Sequence, residues 1–518
     1  MPRSTTTVRR WVIVLGVLAL AAAPAHPLLV AALGDPTKEP FPTETFLAAV
    51  AGSLRLAVAV TLISLIVGFP LGLLAALYRF RGCTLLLLVQ ALPLLVPSFL
   101  LAKGWEFVGH QWFPRAFSPG SFFASAVLMG LQSVPLVLFA TWAACRNLTA
   151  SQIDAARLHG GEGTVLKRSA GACAPVAVVA AVLAGILSLT DPGATSVFDY
   201  RSAAEEIRTS FAARGDVVLA GRQCLMMAAV AVFSAIPVLL VGMRRFAAAV
   251  LARQMRPALP YPHPAFGRIA AAGLLAVITV GFAAPALGMC LPTIRDPRLG
   301  EAARQVAATA GPSLVYTVGA GVVAVLLATV LALSAAGDLK LRSAALGVLL
   351  MLLALPPALG AIGVAHLAAE APPALDWITR SQFTVALVLG LRLLPVAAVT
   401  MMRAVGSLSP SWTDAAVVHG VSRPRLLLRV IAVVLTPAMF VSALLVVVLA
   451  AADVTTTHLL HPGRQSLALA IFTTMSNSPE GRVASLCLLY LLGVVLLTAT
   501  VWQVSRSQLP RRLRRRTP

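Results

Sequence analysis

Two ten-residue stretches, S-Q-I-D-A-A-R-L-H-G at 151–160 and S-W-T-D-A-A-V-V-H-G at 411–420, carry the same polar and small residues at a spacing of 260 positions. The same spacing pairs Ser53-Leu54 with Ser313-Leu314 and Pro135 with Pro395, and a drift of three residues pairs Leu92-Pro93 with Leu355-Pro356. Chance likeness between apolar stretches explains matching hydrophobic runs. It does not explain polar residues that match in type and order, so the chain reads as an internal duplication.

Around these stretches the sequence alternates long apolar runs with short basic loops. Of 518 residues, 58% are hydrophobic and 12% are charged, with a mean hydropathy of +0.88. A soluble chain carries about 25% charged residues, and no soluble core hides this much apolar surface. Runs of about 20 residues, each able to cross a ~30 Å hydrocarbon layer as a helix, fall near 11–33, 53–77, 84–108, 121–145, 173–190, 217–242, 268–291, 313–336, 343–369, 383–402, 430–452 and 483–504. The predicted fold is therefore all-α: a polytopic membrane protein of about 12 helices in two pseudo-symmetric six-helix halves. An even number of spans per half gives both halves one orientation and an axis near the membrane normal, with a path between them for a substrate. The expected divisions are a first half at 1–245, a cytoplasmic linker at 246–267, a second half at 268–505 and a basic tail at 506–518.

The formal charge of +22 invites a nucleic-acid reading, which the placement of the charges excludes. About 26 bases and about four acids fall in the loops on one side, against about 11 bases and about 14 acids on the other. This is the bias that keeps basic loops inside, and it predicts both termini in the cytoplasm. The basic start and small residues at 21–23 also fit a signal peptide, but the apolar run resumes at Leu28 and its loss would invert the next span. The tail bases at 511–516 read as an anchor on that side. Six cysteines are scattered without a C-x-x-C pair and read as small packing residues, and no metal site is expected. There is no Walker A sequence and no H-E-x-x-H. The chain is expected not to be an enzyme, to bind no cofactor, and to take its energy from a partner or a gradient.

Each quoted stretch reads as a short helix. Ser151 and Ser411 are placed as N-caps of an S-x-x-D pattern, and Gly160 and Gly420 as left-handed residues that end the helix. Helices this short are marginal alone, so each needs something to dock against.

These stretches resemble the EAA loop of ABC importer permeases, in which E-A-A, three residues and G precede an I-x-L-P near the next span. Asp154-Ala155-Ala156 with Gly160, and Asp414-Ala415-Ala416 with Gly420, match the front of that pattern with Asp for Glu. The I-x-L-P part is absent from both loops, 151–172 and 411–432. The segments after the fifth span of each half, T-D-P-G-A-T-S-V-F and A-A-D-V-T-T-T-H-L-L, resemble those of fused twelve-span permeases for ferric iron, thiamine and related small solutes. The resemblance implies a type I importer permease fold in a bacterial inner membrane. It also implies two copies of an ATPase subunit, which hold the ATP and dock at the two loops, and an extracytoplasmic solute-binding protein.

Within the spans, Lys103 and Glu106 stand three residues apart on one helical face, close enough to pair. At the local spacing Lys103 matches His366, and Gln132 matches Arg392. These positions are expected to line the cavity between the halves, since charge in a bilayer faces a protein interior or water. Asp191 and Asp453, at equivalent span ends, fit helix capping better than cation binding. The alternative function is a gradient-driven transporter of the major facilitator type, but its charged motif after the second span is here only Y-R-F-R-G at 78–82.

Overall fold

The computed structural model describes residues 3–34, 41–112, 120–251, 259–370, 372, 374, 377, 381–460, 463–475 and 477–507. Arg253, Arg256 and the tail bases at 511–516 lie outside these. The described chain is helical, with no strand beyond a single bridge between Tyr78 and Tyr261. It is an all-α polytopic membrane protein: ten helices are long and apolar enough to span a bilayer, and two further pairs of helices pass the same test only when each bent pair is taken together.

The helices run α1 (Arg3–Ala22), α2 (His26–Gly34), α3 (Glu44–Leu77), α4 (Cys83–Val89), α5 (Leu92–Leu95), α6 (Ser98–Trp112), α7 (Phe122–Cys145), α8 (Ala150–Leu189), α9 (Gly193–Val197), α10 (Ala203–Ala212) and α11 (Val217–Leu251). After the linker come α12 (Pro264–Ile278), α13 (Ala284–Arg295), α14 (Leu299–Ser334), α15 (Leu339–Ala354), α16 (Pro357–Glu370), α17 (Gln382–Gly406), α18 (Pro410–Val418), α19 (Ala432–Ala451), α20 (Thr455–Leu460), α21 (Leu467–Thr474) and α22 (Glu480–Ser507). The expected linker at 246–267 is shorter, because α11 continues to Leu251 and α12 starts at Pro264 with the His263 side chain capping Phe266 N.

The third and ninth spans are not the straight helices expected. The chain turns by 98° between the α4–α5 arm and α6, and by 76° between α15 and α16. Val96 (φ −103°, ψ 137°) and Leu355 (φ −67°, ψ 146°) are extended, and each precedes a proline. Proline crowds the residue before it out of the helical region, and a helix stops there.

Each bent pair nevertheless carries the chain across. A Cβ on Gly130 would touch Ile63, on Gly68 Val134 and Val137, and on Gly72 Leu138 and Thr141. Positions along α3 and α7 thus rise together, and the two helices run parallel. The same holds for α14 and α17, where Gly319 meets Ala386 and Gly390 meets Val323. Parallel neighbours require the intervening segment to return to the starting face, so with each bent pair taken as one span the described residues make up to twelve crossings.

Close contact between the bent segments and distant helices comes from glycine. The carbonyl of Pro285 would lie 2.3 Å from a Cβ on Gly104, and that of Pro24 would lie 2.3 Å from a Cβ on Gly363. So α13 packs on α6, and α2 packs on α16. Gly104 and Gly363 thus make like contacts at a spacing of 259, whereas the expected match of Lys103 with His366 has a spacing of 263. Counted at 259, Lys103 falls on Ile362 and Val96-Pro97 on Leu355-Pro356.

Candidate functional site

On the basic face, the 151–160 stretch forms the first turns of α8. Its cap is Thr149, not Ser151: the Thr149 side chain accepts from Gln152 N while the Gln152 side chain accepts from Thr149 N. In the second copy Ser409 is the cap residue, Pro410 opens the helix, and Ser411 Oγ lies 2.7 Å from Ser409 Oγ. Both caps stand two residues before the serines the sequence suggests. Proline at the first position of α18 fixes that start, because its missing N–H would have no helical partner there.

Gly160 is a second correction. Its φ is −167°, and the left-handed residue is Gly161 at φ 64°. The segment after it continues as one helix to Leu189, so the fifth span rises from an extension beginning at Glu162 rather than from a loop running to 172. Gly420, at φ 65°, does take the left-handed conformation expected of it. The 411–432 segment is less regular than the first, with a π turn at Leu427–Ile431 before α19.

The paired alanines do not form one outward surface. Ala156 is 2% and Ala416 is 8% exposed, both turned toward the body, while Ala155 and Ala415 face outward. Consecutive residues on a helix point about 100° apart, so the pair splits between seating the helix and presenting it. Asp154 is exposed and pairs with Arg157 at 3.4 Å, and Asp414 is also exposed. A cleft of about 430 Å³ runs beside the first helix, lined by Ser151, Gln152, Ala155, Ala156, Arg168 and Ser169.

The predicted intramembrane polar residues each have partners of their own. Lys103 Nζ and Glu106 Oε2 are 2.7 Å apart, as their spacing suggests, with the ammonium 5.4 Å from the Phe107 ring. The Gln132 amide donates to Pro93 O and Val96 O at 3.1 and 2.8 Å, so it satisfies carbonyls that the break before Pro97 leaves unbonded. His366 pairs with Glu370 at 3.4 Å. Arg392 forms an ion pair with Asp453, whose side chain is 6% exposed, and borders a cavity of about 60 Å³ lined also by Pro24 and Pro356.

That pair was not legible from spacing, because Asp453 lies 61 positions beyond Arg392. The sequence did place the capping: Asp453 Oδ1 accepts from Thr456 N at 2.7 Å and Asp191 Oδ1 from Gly193 N at 2.8 Å. Asp191 also lies within electrostatic range of both Arg392 and Asp453, so acids from distant segments and one arginine meet at one seam. Charges in a bilayer are costly unless paired in a protein interior. Equally hidden was the role of Ser53 and Ser313, whose hydroxyls accept from Ala203 N and Leu467 N, each at 2.9 Å. The matched serines thus pin the segments after α8 and after α19. Comparison with family models, with curated proteins and with solved structures returned no match.

Proposed function

We propose that this chain is the permease of an ATP-driven ABC importer, both transmembrane halves fused, which forms the path of a small solute across a bacterial inner membrane. The observation that carries the reading is the pair of D-A-A-x-x-H-G helices. Each has one alanine seated on the body and one facing out, and each is joined to the next long helix through a left-handed glycine. They suit docking into clefts of two copies of a P-loop ATPase, since the chain has no Walker A sequence of its own. Two pseudo-equivalent halves are supported by the recurring contacts: Gly130 with Ile63 and Gly390 with Val323, and Gly104 with Pro285 and Gly363 with Pro24.

In this reading both termini and both coupling helices are cytoplasmic, and an extracytoplasmic binding protein delivers the solute. ATP closes the ATPase dimer and draws the coupling helices together, opening the seam outward; hydrolysis resets it. Arg392, Asp453 and Asp191 lie on that seam, with the Lys103–Glu106 pair on the flanking α6. Ferric iron, thiamine and polyamines are the solutes to assay first.

The test is to co-purify the detergent-solubilised chain with its bound proteins, identify any P-loop ATPase by mass spectrometry, and measure solute uptake by the reconstituted complex. Recovery of an ATPase, with uptake that requires hydrolysis, is the expected result. Transport driven by an ion gradient alone, with no ATPase recovered, would favour the facilitator-type alternative and overturn the proposal.

A further inference from the structure

The two D-A-A helices share six of ten residues, yet their surroundings differ. In the first, Arg157 reaches across the Gly160-Gly161 break and its Nε donates to Glu162 Oε1 at 2.5 Å. Glu162 Oε2 accepts from the Tyr78 hydroxyl at 2.8 Å. The Arg157 guanidinium lies 4.0 Å from the centre of the Tyr261 ring. Tyr261 belongs to the segment joining α11 to α12, and its backbone is fixed to the end of α3: its N–H donates to Leu77 O at 2.8 Å, and Arg79 N donates to its carbonyl at 2.9 Å. Tyr78 is fully buried and stacks on Phe266, with ring centres 4.9 Å apart. The brace therefore ties four separated pieces of chain across one helix break.

Among the described residues no equivalent brace is seen at the second helix. The positions matching Arg157 and Glu162 are Val417 and Ser422, which cannot form an ion pair, and Asp338 stands where Tyr78 would be. Val417 and Val418 are 80% and 81% exposed.

We infer that Tyr261 and Tyr78 are positioning residues: through Arg157 and Glu162 they lock the angle between the first coupling helix and the span it continues into, while the second helix is left free to be set by its partner. A break bridged by an ion pair, a buried tyrosine and a cation–π contact resists bending; a lone left-handed glycine does not. Each half then meets its motor differently, the first as a stiff lever and the second as a compliant one. The locking needs no partner; its consequence for transport rests on the reading above.

Hydrogen–deuterium exchange on the full chain in lipid nanodiscs tests the lock without any ATPase. Amides of 151–162 are expected to exchange roughly ten-fold more slowly than those of 411–422. Tyr261→Ala and Arg157→Met should each speed exchange in 151–162 by roughly five-fold, about the value of a cation–π contact, and leave 411–422 unchanged. Tyr261→Phe keeps the ring face and should keep the parent rate, and Tyr261→Ala with Arg157→Met together should add nothing further. Equal exchange of the two segments in the parent chain, or no response of 151–162 to Tyr261→Ala, would overturn the inference. So would acceleration of both segments together, which marks general loosening. Absence of a bound ATPase would sink the proposed function and leave this result intact.

Discussion

Arg392 and Asp453 show how one side-chain pair sets a cost that single substitutions expose. Asp453 is buried while Arg392 is only half-buried, so removing the arginine leaves a buried carboxylate without compensation, at up to about 3–5 kcal/mol. Arg392→Met is expected to destabilise the chain by about 3 kcal/mol, and adding Asp453→Asn should recover most of that, read by thermal unfolding in detergent. No recovery in the double variant would show that the uncompensated carboxylate is not the source of the loss. In transport, Arg392→Met and Lys103→Met should impair uptake while ATPase capture persists; undiminished uptake in both would remove these residues from the path. The effects at the glycines of the D-A-A helices follow their backbone angles. Gly161 and Gly420 have φ near +65° and Gly160 does not, and a β-branched residue in the left-handed region costs about 1–2 kcal/mol. Gly161→Val and Gly420→Val should therefore abolish ATPase capture, whereas Gly160→Ala, which meets the Thr164 side chain but needs no left-handed angle, should be milder. A reversed order would mean that capture does not depend on the turn geometry. The sequence pointed to a glycine at each turn, but it assigned the first turn to Gly160 where Gly161 takes it. Both can adopt the angle, and the choice is made by how the following helix meets the body.

At the scale of elements, proline and glycine do complementary work. An extended residue before a proline breaks each bent span, and a glycine in each following helix lets another helix approach to backbone contact. Gly104→Val and Gly363→Val would drive side chains against the carbonyls of Pro285 and Pro24, which cannot swing aside. Overpacking of this kind costs about 1–3 kcal/mol, so a clear fall in melting temperature is expected for each and the largest fall for the double variant. Ser53→Ala and Ser313→Ala should each remove the acceptor of a half-buried or buried backbone N–H, at about 1–3 kcal/mol. If neither changes thermal stability, the serines are not pins. Apolar periodicity placed the helices well, because a bilayer demands about 20 residues of hydrocarbon per crossing. It could not show the bends, since a proline inside an apolar run is compatible both with a straight span, as at Pro135 and Pro395, and with a break, as before Pro97 and Pro356. Packing against neighbouring helices decides between them.

For the whole molecule, the parallel packing of α3 with α7 and of α14 with α17 predicts that each bent pair crosses the bilayer. Cysteines introduced as Arg81→Cys, Ser151→Cys, Lys340→Cys and Ser411→Cys should all react with an impermeant maleimide from one side of sealed vesicles, and Gly300→Cys from the other. Reaction of Arg81→Cys and Ser151→Cys from opposite sides would mean that the first bent pair turns back without crossing. The sequence by itself determined that this is a helical chain built across a bilayer, which runs are apolar, and that two short D-A-A helices recur, because hydrocarbon length, charge bias and residue repetition are properties of order along the chain. Tertiary structure alone decided which helices cross over to pack on distant ones, that Arg392 meets Asp453, and that Arg157, Glu162, Tyr78 and Tyr261 brace the first D-A-A helix. Those outcomes depend on contacts between residues tens to hundreds of positions apart, and no local spacing encodes the three-dimensional path that brings them together.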